Sequence, residues 1–170
     1  MDIIGQLVDF LSQLSSDPVS YTIIFFIYCV LAAIILPFPV EIGLFFAPGV
    51  SIIIKALILG AGKATGSVVV FYIGERIESP VRRWSVRWRW FKWLVDRMEW
   101  LVAKLRYIGL YLILSIPLMS DSIPLYLFAL FNKEGKTLNV RWFAVTNFLA
   151  GVTRALIVYT VFDLLGIKLI

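Results

Sequence analysis

The stretch Leu36-Pro37-Phe38-Pro39-Val40-Glu41-Ile42 interrupts an apolar run from Tyr21 to Ile54 in which Glu41 is the only charge. Pro37 and Pro39 each lack an N–H and restrict the residue before them, so a helix breaks here. Broken backbone at membrane depth survives only inside protein or along a water-filled cavity. A carboxylate facing lipid is expensive. The chain is therefore expected to turn within a bilayer and to hold Glu41 at the turn. Ile116-Pro117-Leu118-Met119-Ser120-Asp121-Ser122-Ile123-Pro124 repeats the design, with Pro117 and Pro124 flanking the lone acid Asp121.

The composition supports a membrane setting. The 170 residues are 61% hydrophobic and 15% aromatic, with a mean hydropathy of +0.91. Soluble domains are closer to ~45–50% apolar. There is no histidine and one cysteine, Cys29. A Ser-His-Asp or Cys-His nucleophilic site within this chain is thereby excluded, and neither a zinc site nor a cofactor is expected. The chain reads as a transporter rather than an enzyme. The net charge of +5 is concentrated: nine of the sixteen Lys and Arg lie between Arg76 and Arg106, while the first 20 residues hold three acids and no base. That acidic start is not expected to be a signal peptide.

Outward from the two breaks, the chain reads as a single membrane domain, 1–170. Residues 1–19 carry Ile4, Leu7, Val8, Leu11 and Leu14 at helical spacing, as in an amphipathic surface helix. Asp17 and Pro18 suit the N-cap and first turn of the next helix. Residues 21–54 read as a re-entrant hairpin, with limbs Tyr21 to Leu36 and Ile42 to Ile54, the second interrupted by Pro48-Gly49, and Lys55 marking the interface. The alternative is a plain transmembrane helix plus a loop. Residues 56–77 are long enough to span, and Gly62, Gly66 and Gly74 would let another helix approach closely.

Residues 79–106 read as a basic, Trp-rich interfacial helix. Its apolar stripe includes Trp84, Trp88 and Met98, and Arg82, Arg83, Arg89 and Lys92 lie mostly off that stripe, with Trp90 and Trp93 adding aromatic surface. The same composition suits a nucleic-acid platform, but in a chain this apolar nucleic acid is not an expected partner. Residues 107–131 read as a second re-entrant hairpin around Asp121. Residues 142–165 form a final span with Asn147, Gly151 and Arg154 on one face. The fold class is an all-α integral membrane protein. Two facing re-entrant helical hairpins are each followed by a transmembrane helix, as an inverted repeat, with amphipathic interfacial helices added. With the N-terminus outside, every large basic cluster, including 79–106, is cytoplasmic, as the positive-inside rule asks.

Hairpins entering from opposite faces bring their tips together, so Glu41, Asp121 and Arg154 are expected to meet near the midplane. Two helix N-termini at the tips would favour an anion such as a phosphate, with Arg154 as a bidentate partner. One of the two acids is expected to carry a proton and link turnover to pH. In the plainer alternative the acids pair with Arg154 or cap a limb. Lys63 is a candidate further cation, though it is expected to snorkel to the outer interface beside Lys55.

These residues resemble the DedA-like family, whose shared region is also called the SNARE-associated or VTT domain. The resemblance runs from about Leu36 to Tyr159. It rests on Pro37-Phe38-Pro39-Val40-Glu41, on Gly62-Lys63-Ala64-Thr65-Gly66 through Tyr72-Ile73-Gly74, and on Pro117 with Asp121 followed by Asn147 and Gly151. Leu114, Ser115 and Ser120 stand at places where bacterial members usually carry arginine, which leaves Arg154 to take that part. The resemblance implies movement of lipids across the bilayer: polyprenyl-phosphate carriers or phospholipids, sometimes driven by protons. The expected function is a translocase or scramblase for phosphate-bearing lipids in the plasma membrane of a prokaryote. A proton- or cation-coupled small-solute transporter and a non-transporting membrane scaffold are the alternatives, and a homo-oligomer is left open.

Overall fold

The computed structural model describes residues 17–35, 39–47, 49–85, 89–132 and 137–165, with side chains left aside at 78–85, 89–91, 94 and 95. Among these residues every regular element is helical. They are α1 (Pro18–Ile34), a short 3-10 helix (Val40–Phe45), α2 (Ile52–Ser85), α3 (Arg89–Leu114), α4 (Ser122–Leu130) and α5 (Val140–Leu164). The surface helix expected at the N-terminus, Pro37, Pro48 and Trp88 lie outside the described residues.

α1 starts as the sequence implies. Asp17 is the N-cap, its carboxylate accepting from the amides of Val19 and Ser20, and Pro18 occupies the first turn. The Ser20 hydroxyl, 2.7 Å away, is the main reason the Asp17 carboxyl sits below its ordinary range, with the two amides adding to it. This cap is in place above the usual carboxylate range and is lost as pH falls through the lowered value. Tyr21, Phe25, Cys29 and Ala32 then bury one face, while Val19, Ile23, Ile27, Leu31 and Ile35, four apart, stay exposed on the other.

α2 and α1 run in the same direction, because Gly62 lies against Cys29 and Gly66 against Ala33. A Cβ on Gly66 would stand 2.6 Å from that of Ala33 and 2.8 Å from the Val30 carbonyl, so only hydrogen permits this approach. Gly74 meets Ala129 of α4 in the same way. On another face of α2, Gly60 meets Gly151 and the Phe148 carbonyl of α5, and the rings of Phe71 and Phe143 are 5.3 Å apart. These contacts make α2 and α5 antiparallel. The chain between α1 and α2 is pinned back along α1: the Tyr28 hydroxyl donates to the Pro39 carbonyl at 3.0 Å and that of Tyr21 to Gly43 at 2.7 Å. Tyr21 is buried, so Tyr21→Phe leaves the Gly43 carbonyl without this donor. We expect a loss of about 1 kcal/mol, read as a lower thermal midpoint in detergent; an unchanged midpoint would detach the segment from α1.

Several expected boundaries shift. The second limb, Ile42 to Ile54, is interrupted as expected, though over a longer stretch: the 3-10 turn ends at Phe45, Ala47 takes a left-handed φ of 54°, and helix resumes at Ile52. Lys55, in the first turn of α2, is buried and donates to the Leu44 carbonyl at 3.1 Å. The helix expected over 79–106 does not begin at 79. Helix α2 runs on to Ser85, and α3 begins at Arg89 and bends at Arg106, φ 44°. Among the described residues two stretches are long and apolar enough to cross a membrane, Ile52–Ile77 and Val140–Leu164.

Two apolar cores result. One gathers Tyr21, Phe25, Val40, Leu44, Leu59 and Val158, the other Phe71, Leu110, Leu114, Leu125, Phe128 and Phe143. Between them, along α2 and α5, lie polar residues.

Candidate functional site

Four charged side chains from four parts of the chain meet at that seam. Glu41 comes from the first turn of the 3-10 helix, behind Pro39. Lys63 is on α2, eleven residues after Ile52 and fourteen before Ile77. Asp121 immediately precedes α4. Arg154 is on α5, fourteen residues after Val140 and ten before Leu164. All are buried, with exposures of 1% for Glu41, 0% for Lys63, 3% for Asp121 and 0% for Arg154.

Arg154 is the hub. Its Nε donates to Glu41 Oε1, one terminal nitrogen donates to Asp121 Oδ1 at 2.7 Å, and the other donates to the Met119 carbonyl. Lys63 Nζ donates to the same Asp121 oxygen at 2.9 Å and to the Leu114 carbonyl at 3.3 Å. Leu114 ends α3, so the ammonium meets a helix carbonyl that has no intrahelical donor. The Leu118 amide donates to Glu41 Oε1 at 2.8 Å. Leu118 reaches that position in a left-handed conformation, φ 62°, which costs on the order of 1–3 kcal/mol for a residue with a Cβ. Its side chain is exposed. The strain is concentrated where an amide must be aimed at a buried carboxylate.

Two cations and two anions balance, so the cluster itself carries no formal net charge. Asp121 spends its carboxylate on Lys63 and Arg154 and makes no capping bond to α4. Three buried oxygens nearby in the fold or sequence have no protein partner: Glu41 Oε2, Ser120 Oγ and Asn147 Oδ1. Asn147 shares the buried face of α5 with Gly151 and Arg154, but its amide nitrogen bonds the Phe143 carbonyl rather than the cluster.

The structure thus brings Glu41, Asp121 and Arg154 together, as the two proline breaks suggest, and corrects two other expectations. Lys63 does not snorkel outward. It sits between Gly60, which faces α5, and Gly62 and Gly66, which face α1; that flanking by packing glycines is the signal that it points inward. Nor does Arg154 present a free fork to an anion, since all three of its nitrogens serve protein acceptors. The first tip has no helix N-terminus to offer either, because Val40–Phe45 is a six-residue 3-10 turn. Of the other singled-out residues, Pro39 is the N-cap of that turn, Pro117 lies in the turn after α3, and Pro124 is buried in the first turn of α4. Lys92 and Trp93 are exposed on α3, while the side chains of Arg82, Arg83, Trp84, Arg89 and Trp90 lie outside the described set. The sequence missed the backbone partners at Leu114, Leu118 and Met119, which leave no trace in residue identity.

Among the described residues no group of three or more His, Cys, Asp or Glu is placed to hold a metal. No family model, no curated protein and no solved structure matches the chain. The resemblance to the DedA-like family therefore stands on the quoted motif residues.

Proposed function

We propose that the protein is an integral membrane translocase or scramblase for phosphate-bearing lipids, and that the Glu41–Lys63–Asp121–Arg154 cluster is its working site. The observation that carries this reading is the cluster itself. Burying ion pairs is often no more stable than apolar packing, so a wholly buried, charge-balanced tetrad at mid-length of two membrane-length helices calls for a role. The surroundings support the membrane setting. The exposed rows of α1 (Val19 to Ile35) and α5 (Val145, Leu149, Leu156, Val161) are aliphatic, and apolar patches of this extent on a protein surface mark a contact with something apolar.

In this reading residues 18–51 and 107–130 are re-entrant hairpins, and each with its following helix forms one half of an inverted repeat. A lipid phosphate enters between the two broken segments and takes over the donor of Arg154 that Glu41 now holds. Lys63 stays on Asp121 and keeps one pair intact during the exchange. The displaced carboxylate takes up a proton, so the site never carries a large net charge. The grooves between α1 and α2, about 460 and 380 Å³ and sharing Thr22 and Ile23, offer apolar surface for a lipid chain.

The test is reconstitution into liposomes carrying labelled lipid in one leaflet. We expect exchange of an anionic lipid in the parent, and near-complete loss in Glu41→Gln and Asp121→Asn while both remain inserted. Parental rates in both variants across mildly acidic to mildly basic pH would leave the acids structural. The unpaired Glu41 Oε2 favours a second reading, proton-coupled transport of a small solute. Proton flux with a candidate solute but no lipid exchange in the same liposomes would select it.

A further inference from the structure

The first half of α3 carries a surface that transport does not explain. Val102 is fully buried and fixes which side of this helix meets the protein. At 100° per residue, Trp93, Arg97, Trp100 and Lys104 fall together on the opposite side. They are exposed, with Trp93 at 68% and Trp100 at 49%. Arg97 and Lys104 both stack on the Trp100 ring, each 4.7 Å from its centroid. Such stacking holds two long cationic side chains in place beside an aromatic ring. Trp93 and Trp100, which the spacing also leaves off the apolar stripe, therefore form an outward ridge with two cations.

The chain then bends at Arg106. Beyond the bend the exposed residues are aliphatic: Ile108 and Leu112 on α3, then Ile116 and Leu118. So the outer surface changes within one helix, from tryptophan and cation to pure hydrocarbon chemistry. Tryptophan beside Lys and Arg suits the headgroup layer, where one end of the ring is apolar and the other wet, and aliphatic surface suits the acyl chains. Acidic side chains flank the ridge, Asp96 exposed and Glu99 half-buried, but neither lies at its centre. We propose that the Trp93–Arg97–Trp100–Lys104 ridge is a docking face for an anionic lipid bilayer surface, and that the Arg106 bend lets this half of α3 lie along the headgroups while its second half turns into the hydrocarbon. Charge complementarity selects the anionic surface.

The inference rests on the membrane placement proposed above, but not on transport. The experiment uses the full chain in nanodiscs of phosphatidylcholine alone or of equal parts phosphatidylcholine and phosphatidylglycerol. A nitroxide is attached through Trp93→Cys, or through Ile27→Cys as an insertion control, in a Cys29→Ala background. Collisions with oxygen report lipid, and collisions with a water-soluble nickel complex report water. Position 27 should read hydrocarbon in both discs; if it reads water in both, the membrane placement itself fails. With position 27 in hydrocarbon, the oxygen-to-nickel ratio at position 93 should rise several-fold in the anionic discs only. Adding Arg97→Glu with Lys104→Glu should abolish that rise. An equal ratio at position 93 in both discs, whether wet or dry, overturns the proposal. So does a shielding of position 93 that requires added nucleic acid or acidic polypeptide.

Discussion

Arg154→Gln should cost about 3–5 kcal/mol, the penalty for leaving buried charge unpaired, and should be rescued by one partner acid but not by the other. The single change leaves Glu41 and Asp121 facing Lys63, one negative charge in excess. Adding Glu41→Gln restores neutrality and keeps the 2.9 Å Lys63–Asp121 pair. Adding Asp121→Asn restores neutrality too, but strips Lys63 of its bonded carboxylate and leaves Glu41 without Arg154. The two double variants have the same charge count, so a double-mutant cycle isolates pairing from net charge. We expect the first to recover more than half of the lost stability and the second to recover none. Equal recovery, measured by thermal unfolding in detergent, would mean that net charge rather than these contacts holds the seam. Arg154→Lys should fall between parent and Arg154→Gln, because one ammonium cannot reproduce a planar fork serving Glu41, Asp121 and Met119.

A second large effect is expected at the α1–α2 contact. Gly66→Leu places its first carbon 2.8 Å from the Val30 carbonyl and adds three more carbons beyond it. The obstructing atom is backbone, so no rotamer change relieves the clash, and α1 must separate from α2. Overpacking usually costs ~1–3 kcal/mol; against backbone we expect the upper end or beyond. The same separation would draw away Ala32, whose carbonyl accepts from Ser122 at 2.9 Å beside Asp121. Gly66→Leu should therefore lower the thermal midpoint and, on the proposed function, also reduce lipid exchange in the folded fraction. Gly49→Ala is the control, since no atom lies within 4 Å of its would-be Cβ. If Gly66→Leu melts with the parent while Gly49→Ala does not, the helix contact is misassigned.

Much of this architecture was legible because it depends on local chemistry. The helical class follows from long apolar runs whose backbone groups must bond internally once they are removed from water. The start of α1 follows from Asp17 and Pro18. The two breaks follow from prolines that cannot donate, and Arg154 with Asn147 and Gly151 follows from helical spacing. That Glu41, Asp121 and Arg154 should meet was also readable, because isolated charges in apolar segments have few affordable places except beside one another. The continuation of α2 to Ser85 was not readable, since the basic segment has its own helical period and composition marks no boundary there.

What the tertiary structure decided is which groups answer those charges. From the sequence Lys63 is expected at the outer interface, because Lys55 lies about two helical turns before it. It is buried because Gly60 and Gly62 bring α5 and α1 against the two sides of its helix, leaving Asp121 and the Leu114 carbonyl within its reach. The Leu118 amide faces Glu41 only through a left-handed turn that no residue type at that position announces. The ridge on α3 could be chosen over the expected stripe only once Val102 was seen to face inward. The sequence by itself determined helices, breaks and the presence of charges that need partners, since those follow from propensity and desolvation. The identity of the partners, and the side each helix presents, depended on contacts between residues far apart in the chain, where packing at small residues sets the geometry.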